Sequence, residues 1–419
     1  MPSEQAPFGA SPIGPSRRQV LAGAGLLAVG GVAGLVPLGG VDGWTPREDA
    51  WPLSRYDLAN TASTDALPPT DPSVAWSDEA LGRHGRTTLV VSPERVYAGG
   101  RGLVARSRDD GSEAWTHGDL PSGRLALRGG TLHSGVAEEI AGLDSDVLAV
   151  DASTGERGWG VPLPSEVTSL LVADGGVFVG YDGGAAGFDP DTGWRRWRRA
   201  GGTSGTYIAL HGGDLYATEG LGRVYRFAGR DLLDLPLRSG PSVRWESGPP
   251  ATEAVGPPVV TGNRVIAGQR VHGGPGVVAC RPEDGSVVWT AAEDASESVP
   301  VRATGLAVAD GVAVAGLLYG RPRDVERGAV VGLDPGDGAV RWTLPLDDRY
   351  PTTVAVAGDS VLVGLASPGP VGEPARAFDL DSGTERWRVG LPDEVTAVAP
   401  VEGTAFVACR DGSVHALRD

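Results

Sequence analysis

Residues 147–159 read Val-Leu-Ala-Val-Asp-Ala-Ser-Thr-Gly-Glu-Arg-Gly-Trp, and this phrase recurs along the chain. Each copy has an apolar run, an Asp or a substitute for it, a few turn residues that end in Gly, and a Trp four residues after that Gly. An Asp at the end of a strand can accept backbone N–H bonds from the next turn, and Gly supplies the positive φ that closes it. The phrase therefore predicts two antiparallel strands around a tight turn, with the Trp on the returning strand.

Copies of the phrase can be aligned on their tryptophans, and one further Trp precedes the first copy. The clearest copies keep both Asp and Gly, at Asp151 and Gly155, Asp189 and Gly193, Asp334 and Gly338, and Asp379 and Gly383. Successive tryptophans lie 38 to 53 residues apart, at Trp76, Trp115, Trp159, Trp197, Trp245, Trp289, Trp342 and Trp387. This period is typical of a four-stranded propeller blade. We expect each Trp to cover the joint between neighbouring blades.

The two ends of the repeat region each hold part of one more unit. Val74 to Trp76 has the pattern of a last strand without its own blade, whereas the strand-like runs after Trp387 end at Val414 to Leu417 without a last strand. Pairing these segments would close the ring and remove exposed sheet edges. The sequence therefore predicts an all-β, eight-bladed β-propeller of four-stranded antiparallel blades over residues 71–419, closed by N- and C-terminal strands in one blade.

The N-terminal segment, residues 1–38, has the pattern of an export signal or an anchor. Arg17 and Arg18 precede an uncharged, Gly-containing run from Val20 to Leu38, which resembles a twin-arginine signal. An ordinary transmembrane helix after a chance Arg pair is the alternative, because the run reaches about the minimum length that spans a bilayer. Both interpretations place the rest of the chain outside the cytoplasm, either secreted or anchored. Residues 39–70, rich in proline, are expected to form an extended lead-in.

Charge excludes some partners. The formal net charge is -17, and all basic residues other than histidine are arginine, which resembles proteins of halophilic organisms. An acidic surface repels nucleic acid phosphates and anionic lipids, so we expect a monomer that contacts membranes only through its N-terminal segment. Cys280 and Cys409 lie in apolar runs without metal-ligand spacing. We expect both to be core residues, too far apart in an eight-bladed ring for a disulfide.

The repeat is similar to the Ala-x-Asp-x-x-Thr-Gly-x-x-x-Trp pattern of the pyrroloquinoline-quinone (PQQ)-like, or quinoprotein-like, propellers. Within the lead-in, residues 51–57 with Asn60 and Thr61 resemble the segment before many such propellers, and we expect them to lie against the propeller. The family includes quinone-dependent dehydrogenases, outer-membrane assembly scaffolds and propellers without a known ligand. The resemblance therefore implies a fold and leaves the activity open.

The family's dehydrogenases hold the quinone on a Trp beneath a disulfide of adjacent cysteines, with Glu, Asn and Asp on Ca²⁺. This chain has no adjacent cysteine pair, and its six histidines are scattered. We therefore expect no cofactor and a non-enzymatic binding or scaffold module at the outer cell surface, taking protein or polysaccharide at a rim or in the central funnel. The alternative is a PQQ- or metal-dependent oxidoreductase with an altered site. A glycan-cleaving enzyme would need two facing carboxylates.

Several charged clusters have both a functional and a structural interpretation, so catalytic and cofactor-binding residues stay unassigned. Trp194 with Arg195, Arg196, Arg198 and Arg199 could bind an acidic partner or a sugar, or could be a strand whose arginines face solvent. The acidic pairs could bind a cation or act as acid and base, although solvated surface is the expectation in so acidic a chain: Asp109-Asp110, Glu138-Glu139 and Asp347-Asp348.

Overall fold

β-Strands and turns make up the described residues of the computed structural model, and these residues include no α-helix. The description covers residues 44–79, 81, 87–118, 120, 122–136, 146–220, 222–229, 240–247, 253–272, 276–291, 300–321, 324–346, 349–367, 372 and 374–419. Arg17, Arg18 and the predicted signal lie outside these ranges. The predicted boundaries at 38, 39, 70 and 71 stay predictions.

Two four-stranded antiparallel sheets follow the short strands β1 (Ser63–Thr64) and β2 (Ser73–Asp78). The first contains β3 (Thr88–Val91), β4 (Arg95–Gly99), β5 (Leu103–Ser107) and β6 (Glu113–His117). The second contains β7 (Arg124–Arg128), β8 (Thr131–Gly135), β9 (Val147–Asp151) and β10 (Arg157–Val161). Neighbours in sequence are neighbours in each sheet, as the repeat predicts.

Two larger sheets follow. A six-stranded sheet contains β11 (Val167–Ala173), β12 (Gly176–Phe188), β13 (Arg195–His211), β14 (Asp214–Glu219), β15 (Arg223–Phe227) and β16 (Val243–Ser247). A nine-stranded sheet contains β17 (Glu253–Ala254), β18 (Val259–Val260), β19 (Val265–His272), β20 (Val277–Cys280), β21 (Val287–Ala291), β22 (Pro300–Ala309), β23 (Val312–Arg321), β24 (Asp324–Leu333) and β25 (Val340–Leu346). Long strands cause the merging, because β13 pairs with both β12 and β14, and β19 pairs with both β20 and β22.

The last two sheets include strands from the N-terminal part of the chain. A five-stranded sheet contains β26 (Tyr350–Ala357), β27 (Ser360–Ala366), β28 (Ala375–Asp379) and β29 (Glu385–Val389), with β1 parallel to β26. The other sheet, which we call the composite sheet, contains β30 (Val395–Val401), β31 (Thr404–Cys409) and β32 (Val414–Arg418), with β2 antiparallel to β32. Val74 pairs with Leu417 and Trp76 with Ala416, which confirms the predicted pairing of the terminal segments.

The repeat tryptophans join one repeat to the next. Trp115 Nε1 donates to Ala152 O at 3.1 Å, and Trp342 Nε1 donates to Leu380 O at 2.9 Å, both in the Asp turn of the following repeat. Gly155 has a φ of +76°, and a Cβ there would lie 2.8 Å from the indole of Trp115. Gly155 therefore meets two requirements: it adopts the positive φ of the turn, and its lack of a Cβ leaves room for the indole of Trp115.

The lead-in contacts the sheets, as expected. Residues 50–67, which we call the strap, bond through their backbone to strands, and to one turn, of successive repeats. Trp51 exchanges two backbone bonds of 2.8 Å with Val91, and Leu127 N donates to Pro52 O at 2.7 Å. Further donors to the strap carbonyls are the backbone N–H groups of Leu210, Val260, Val308, Val356 and Gly403. The strap therefore runs along one end of these strands and ties their sheets together.

Both cysteines are buried, free thiols in separate apolar clusters. Cys280 belongs to the nine-stranded sheet and Cys409 to the composite sheet. Burial raises the pKa of both thiols, that of Cys409 to about 12. Because the thiolate is the reactive form, neither group is activated for chemistry in the folded chain.

Candidate functional site

A cavity of about 500 Å³, which we call the funnel, is lined by residues at the beginning of the strands that contact the strap. The strap bonds to the other end of the same strands. Its floor includes Ser54, Arg55 and Asn60 of the strap. Its wall is rich in hydroxyl side chains, contributed by Thr87, Thr88, Thr168, Ser169, Thr304, Thr352, Thr353 and Thr396. The strap therefore limits how far a ligand can pass into the funnel.

The floor is held by a tightly bonded stretch of the strap. Asn60 has a φ of +58° and donates from Nδ2 to Ile208 O at 2.9 Å and to Pro258 O at 3.2 Å. The Arg55 guanidinium donates to the Leu306 carbonyl, and burial lowers its pKa to about 10. Asp57 accepts from Thr61 N at 2.9 Å and Thr61 Oγ1 at 2.7 Å. Two strap side chains are thus fixed by carbonyls of the sheets.

Charged groups gather at the funnel mouth. Arg410 Nη1 lies 3.2 Å from Glu394 Oε2, and the Arg410 side chain is 51% exposed. Burial raises the pKa of Tyr350; Glu394 raises it further, while Arg410 and Arg302 oppose the shift. These four side chains line the same cavity. We call them the mouth cluster.

The funnel carries more positive than negative charge. Its described lining includes four arginines, Arg55, Arg124, Arg302 and Arg410, and one carboxylate, Glu394. Arg124 is fixed by bonds from Nε to Thr168 O and from Nη1 to Gly123 O, both 2.7 Å. A cationic cavity in a chain of net charge -17 favours anionic ligands over cations.

The described residues do not fit the Ca²⁺ and quinone site of the dehydrogenases in the family that the sequence resembles. Ca²⁺ takes six to eight oxygen ligands, usually with several carboxylates. Among the described residues no group of three or more His, Cys, Asp or Glu could hold a metal ion, and Glu394 is paired with Arg410. The two cysteines lie in different sheets. Seven of the repeat tryptophans hydrogen-bond to carbonyls of turns or of the lead-in: Trp76, Trp115, Trp159, Trp245, Trp289, Trp342 and Trp387.

The Asp and Gly of the repeat lie in turns. Asp189 accepts from Asp191 N at 3.2 Å and Thr192 N at 3.1 Å. Asp334 accepts from Gly336 N, and Asp379 from Ser382 N, both at 2.8 Å. Positive φ values occur at the matching glycines, Gly193, Gly338 and Gly383. None of these residues lines the funnel.

The predicted cluster of Trp194 and its neighbouring arginines lies outside the described funnel lining. Trp194 is 50% exposed, but Arg196 pairs with Asp189 at 2.8 Å and Arg198 Nε donates to Tyr181 Oη at 3.0 Å. Arg199 lies over the Phe227 ring, 4.8 Å from its centroid, while Trp197 is buried. These contacts favour the structural interpretation of this strand.

Of the predicted acidic pairs, only Asp109-Asp110 lies among the described residues. Asp110 accepts bonds from Ser112 in a turn, which lower its pKa to about 2. Glu138-Glu139 and Asp347-Asp348 lie outside the described residues.

Sequence reasoning missed the mouth cluster. Arg302, Tyr350 and Glu394 lie in or next to the first strand of their repeats, and Arg410 directly follows β31. They come from three repeats and comprise two arginines, a tyrosine and a glutamate. The only available signal was their shared position near the strand ends, which an alignment on the tryptophans does not emphasise.

Comparison with known proteins gives a family and a fold. A family model of PQQ-like repeats, described as "Outer membrane protein assembly factor BamB", matches residues 99–247 and 238–371. No curated protein sequence matches. No helix among the described residues has the length and apolar character to cross a membrane.

Several solved structures resemble the chain at low identity. The designed protein Ika8 is 17% identical, with a TM-score of 0.64 over 85% of this chain and 100% of its own. Quinohemoprotein alcohol dehydrogenase ADHIIG from Pseudomonas putida HK5 is 14% identical, with a TM-score of 0.62 over 89% of this chain and 80% of its own. The quinohemoprotein alcohol dehydrogenase from Comamonas testosteroni is 13% identical, with a TM-score of 0.61 over 89% and 81%. At these identities the likeness shows the fold alone.

Proposed function

Because the chain belongs to the family of PQQ-like repeat propellers, we propose that it is an exported, non-enzymatic binding module that acts at the outer cell surface. Its ligand, a polysaccharide or a protein, enters the funnel. The strong acidity of the chain disfavours nucleic acid as a partner.

The proposed architecture is a closed ring of eight four-stranded blades. The six-stranded sheet supplies two blades if β12 and β13 each count twice. This count is supported by Gly183, which has a φ of +92° and lies at the register shift of the β12–β13 pairing, just after the part of β12 that pairs with β11. The nine-stranded sheet supplies two more, β17 to β21 and β22 to β25. The pairing of β2 with β32 supports closure in the composite sheet. Such a ring would line its funnel with one first strand from each blade.

The composition of the funnel is the observation that carries the proposal. Hydroxyls, arginines and two tyrosines, Tyr207 and Tyr350, surround a floor made by the strap. Hydrolysis of a glycosidic bond uses two carboxyl groups across the bond, whereas this described lining has Glu394 alone. Hydroxyl and guanidinium groups instead suit recognition by hydrogen bonds and charge.

A funnel-filling variant tests binding. Ser54 is exposed at the floor, so Ser54→Trp should reduce the affinity for oligosaccharide probes by tenfold or more by occupying the cavity. Ser286→Trp, in an exposed turn outside the funnel, is the matched control and should bind like the parent chain. Titration calorimetry of the full chain measures both. Equal binding by the two variants would place the ligand elsewhere.

A reconstitution test separates binding from oxidoreductase activity. The full chain, incubated with PQQ and Ca²⁺ and then gel-filtered, should retain no quinone absorbance and should not catalyse dye-linked alcohol oxidation. A retained chromophore with alcohol oxidation would overturn the non-enzymatic role and support the oxidoreductase alternative.

Export is tested separately. Changing Arg17 and Arg18 together to Ala should keep the protein inside the cell, because the Arg pair specifies the twin-arginine route. Cell fractionation and immunoblotting measure this. Undiminished appearance outside would indicate a plain anchor or another pathway.

A further inference from the structure

We propose that the funnel binds the end of an acidic polysaccharide, with a uronic-acid carboxylate on Arg302 and Arg410 and with Glu394 as an internal carboxylate that the ligand displaces. This inference rests on the proposed binding function and names its ligand class. It is carried by three features of the described funnel lining, which are its charge, its hydroxyl groups and its closed floor.

Among the described residues, Arg410 and Glu394 are linked by one side-chain hydrogen bond, from Nη1 to Oε2. Its N–O distance of 3.2 Å exceeds the 2.7–2.9 Å usual for a charge-assisted bond. Arg410 is half exposed, whereas Glu394 is only 15% exposed, so the guanidinium is the member that faces an incoming ligand. A guanidinium has five N–H donors and can bind a carboxylate through two of them. A ligand carboxylate can thus make the bidentate contact that Glu394 does not make.

Arg302 and Tyr350 complete the carboxylate subsite. Both line the funnel together with Arg410, and Tyr350 lies close enough to both arginines for them to oppose the rise of its pKa. The neighbouring strands are held together, since Thr352 Oγ1 donates to Val395 O at 2.5 Å. Preorganised donors lose little freedom when they bind a ligand, which favours affinity.

Hydroxyl groups in the wall match the hydroxyls of a sugar. Four threonines of the wall are only partly buried, so they remain accessible from the cavity: Thr168, Thr352, Thr353 and Thr396. A sugar hydroxyl can both donate and accept, so it can pair with such side chains. Tyr207 and Tyr350, both partly exposed, offer rings for the apolar face of a pyranose.

The strap determines which part of the polymer fits. Arg55 and Asn60 form the floor, and the carbonyls of Leu306, Ile208 and Pro258 hold them there. A polymer could pass this floor only if the strap left its place. The funnel therefore accepts a chain end rather than a segment within a long chain.

Titration calorimetry of the full chain with trigalacturonate, neutral maltotriose and the peptide Glu-Glu-Glu tests the ligand class. Trigalacturonate should bind at least tenfold more tightly than either other probe. Arg302→Gln and Arg410→Gln should each weaken trigalacturonate binding about tenfold, which is the loss expected for one charge-assisted contact. Arg281→Gln, at an exposed Arg outside the funnel lining, is the matched control and should leave the affinity unchanged.

Glu394→Gln gives the sharpest result, because a merely structural ion pair predicts no gain. Removing the internal carboxylate should tighten trigalacturonate binding about threefold to tenfold, while maltotriose binding stays unchanged. Thermal melts of every variant verify that the fold is kept.

Each other outcome overturns the inference. Equal binding of maltotriose, abolished by Ser54→Trp, would keep the binding function and reject the acidic class. Tight binding of the peptide through Arg410 would assign a protein ligand. Weaker or unchanged trigalacturonate binding by Glu394→Gln would reject the displaced carboxylate, and no binding of any probe would reject the site. A retained quinone chromophore would overturn the proposed function itself.

Discussion

The Asp turn after β9 and the turn between β32 and β2 have the same hydrogen bonds but different covalent connections. Asp151 Oδ1 accepts from Ser153 N at 2.8 Å and Thr154 N at 2.9 Å, within one continuous segment. In the composite sheet, Asp419 Oδ1 accepts from Thr70 N at 2.7 Å and Asp71 N at 2.8 Å. The second turn, which we call the split turn, joins residues 349 positions apart.

In each of the two turns, a Trp of the preceding repeat hydrogen-bonds to a backbone carbonyl. Trp115 Nε1 donates to Ala152 O, the residue after Asp151, at 3.1 Å. Trp387 Nε1 donates to Pro69 O, the residue before Thr70, at 2.9 Å. Strand pairing therefore places the donors and acceptors of the turn, and continuity of the chain is not required. The difference is entropic, because closing a loop of this length costs about 4 kcal/mol more than closing a short turn.

Truncation after Asp411 should have the largest effect on folding. The change removes β32, whose Val414, Ala416 and Leu417 are fully buried, and removes the Asp419 half of the split turn. We expect loss of the cooperative unfolding transition, because β2 and β31 both lose their partner strand. Circular dichroism melting measures this. A truncated chain that melts like the full chain would contradict closure through the composite sheet.

Trp387→Ala and Trp115→Ala compare the two joints directly. Each removes a buried indole and should lower the free energy of unfolding by about 3–5 kcal/mol. Only Trp387→Ala should also reduce the stability that Asp419 contributes, because it removes the hydrogen bond to Pro69 beside the split turn. Chemical denaturation of both variants, alone and combined with Asp419→Asn, measures the coupling. Full additivity of Trp387→Ala with Asp419→Asn would show that the split turn is independent of its Trp.

The two cysteines report which region opens first. Both thiols should resist a thiol reagent in the folded chain, because they are buried and their pKa values are raised. In mild denaturant, Cys409 of the composite sheet should be labelled before Cys280, because the split turn lacks covalent continuity. Mass spectrometry of labelled peptides measures the order. Earlier labelling of Cys280 would show that the composite sheet is not the weaker region.

Replacing both cysteines with Ala is a companion test. The double variant should lose about 1–2 kcal/mol of stability through lost packing and should keep any ligand binding, because neither thiol lines the funnel. A disulfide between the two in the native protein would contradict their placement in different sheets.

Protonation of the turn carboxylates should have the smallest effect. Hydrogen bonds lower the pKa of Asp151 to about 2 and also lower the pKa of Asp419 below its usual value. Their contributions are therefore present above about pH 4 and are lost as the pH falls through the lowered pKa values. Asp419→Asn and Asp151→Asn should each be less stable than the parent at pH 7, with smaller differences at pH 2. A difference that stays constant with pH would show that the negative charge is not what stabilises the turn.

Strand existence, strand order and the pairing of β2 with β32 could be predicted from the sequence. They depend on local chemistry, namely apolar runs, the Asp acceptor and Gly at positive φ, repeated at a regular period. The merging of four predicted units into two larger sheets could not be predicted. It depends on how far β13 and β19 extend past one partner strand to the strand of the next unit.

By itself, the sequence determined the all-β repeat, the residues of its turns and the burial of both cysteines, because each depends on neighbours within one or two strands. Only the tertiary structure decided that the strap forms the floor of the funnel, and that Arg302, Tyr350, Glu394 and Arg410 share one mouth. These residues come from three repeats, with Glu394 and Arg410 in the same one, and have no common motif. They meet because the sheets bring their first strands together, which is a property of the whole assembly of sheets rather than of any local stretch of chain.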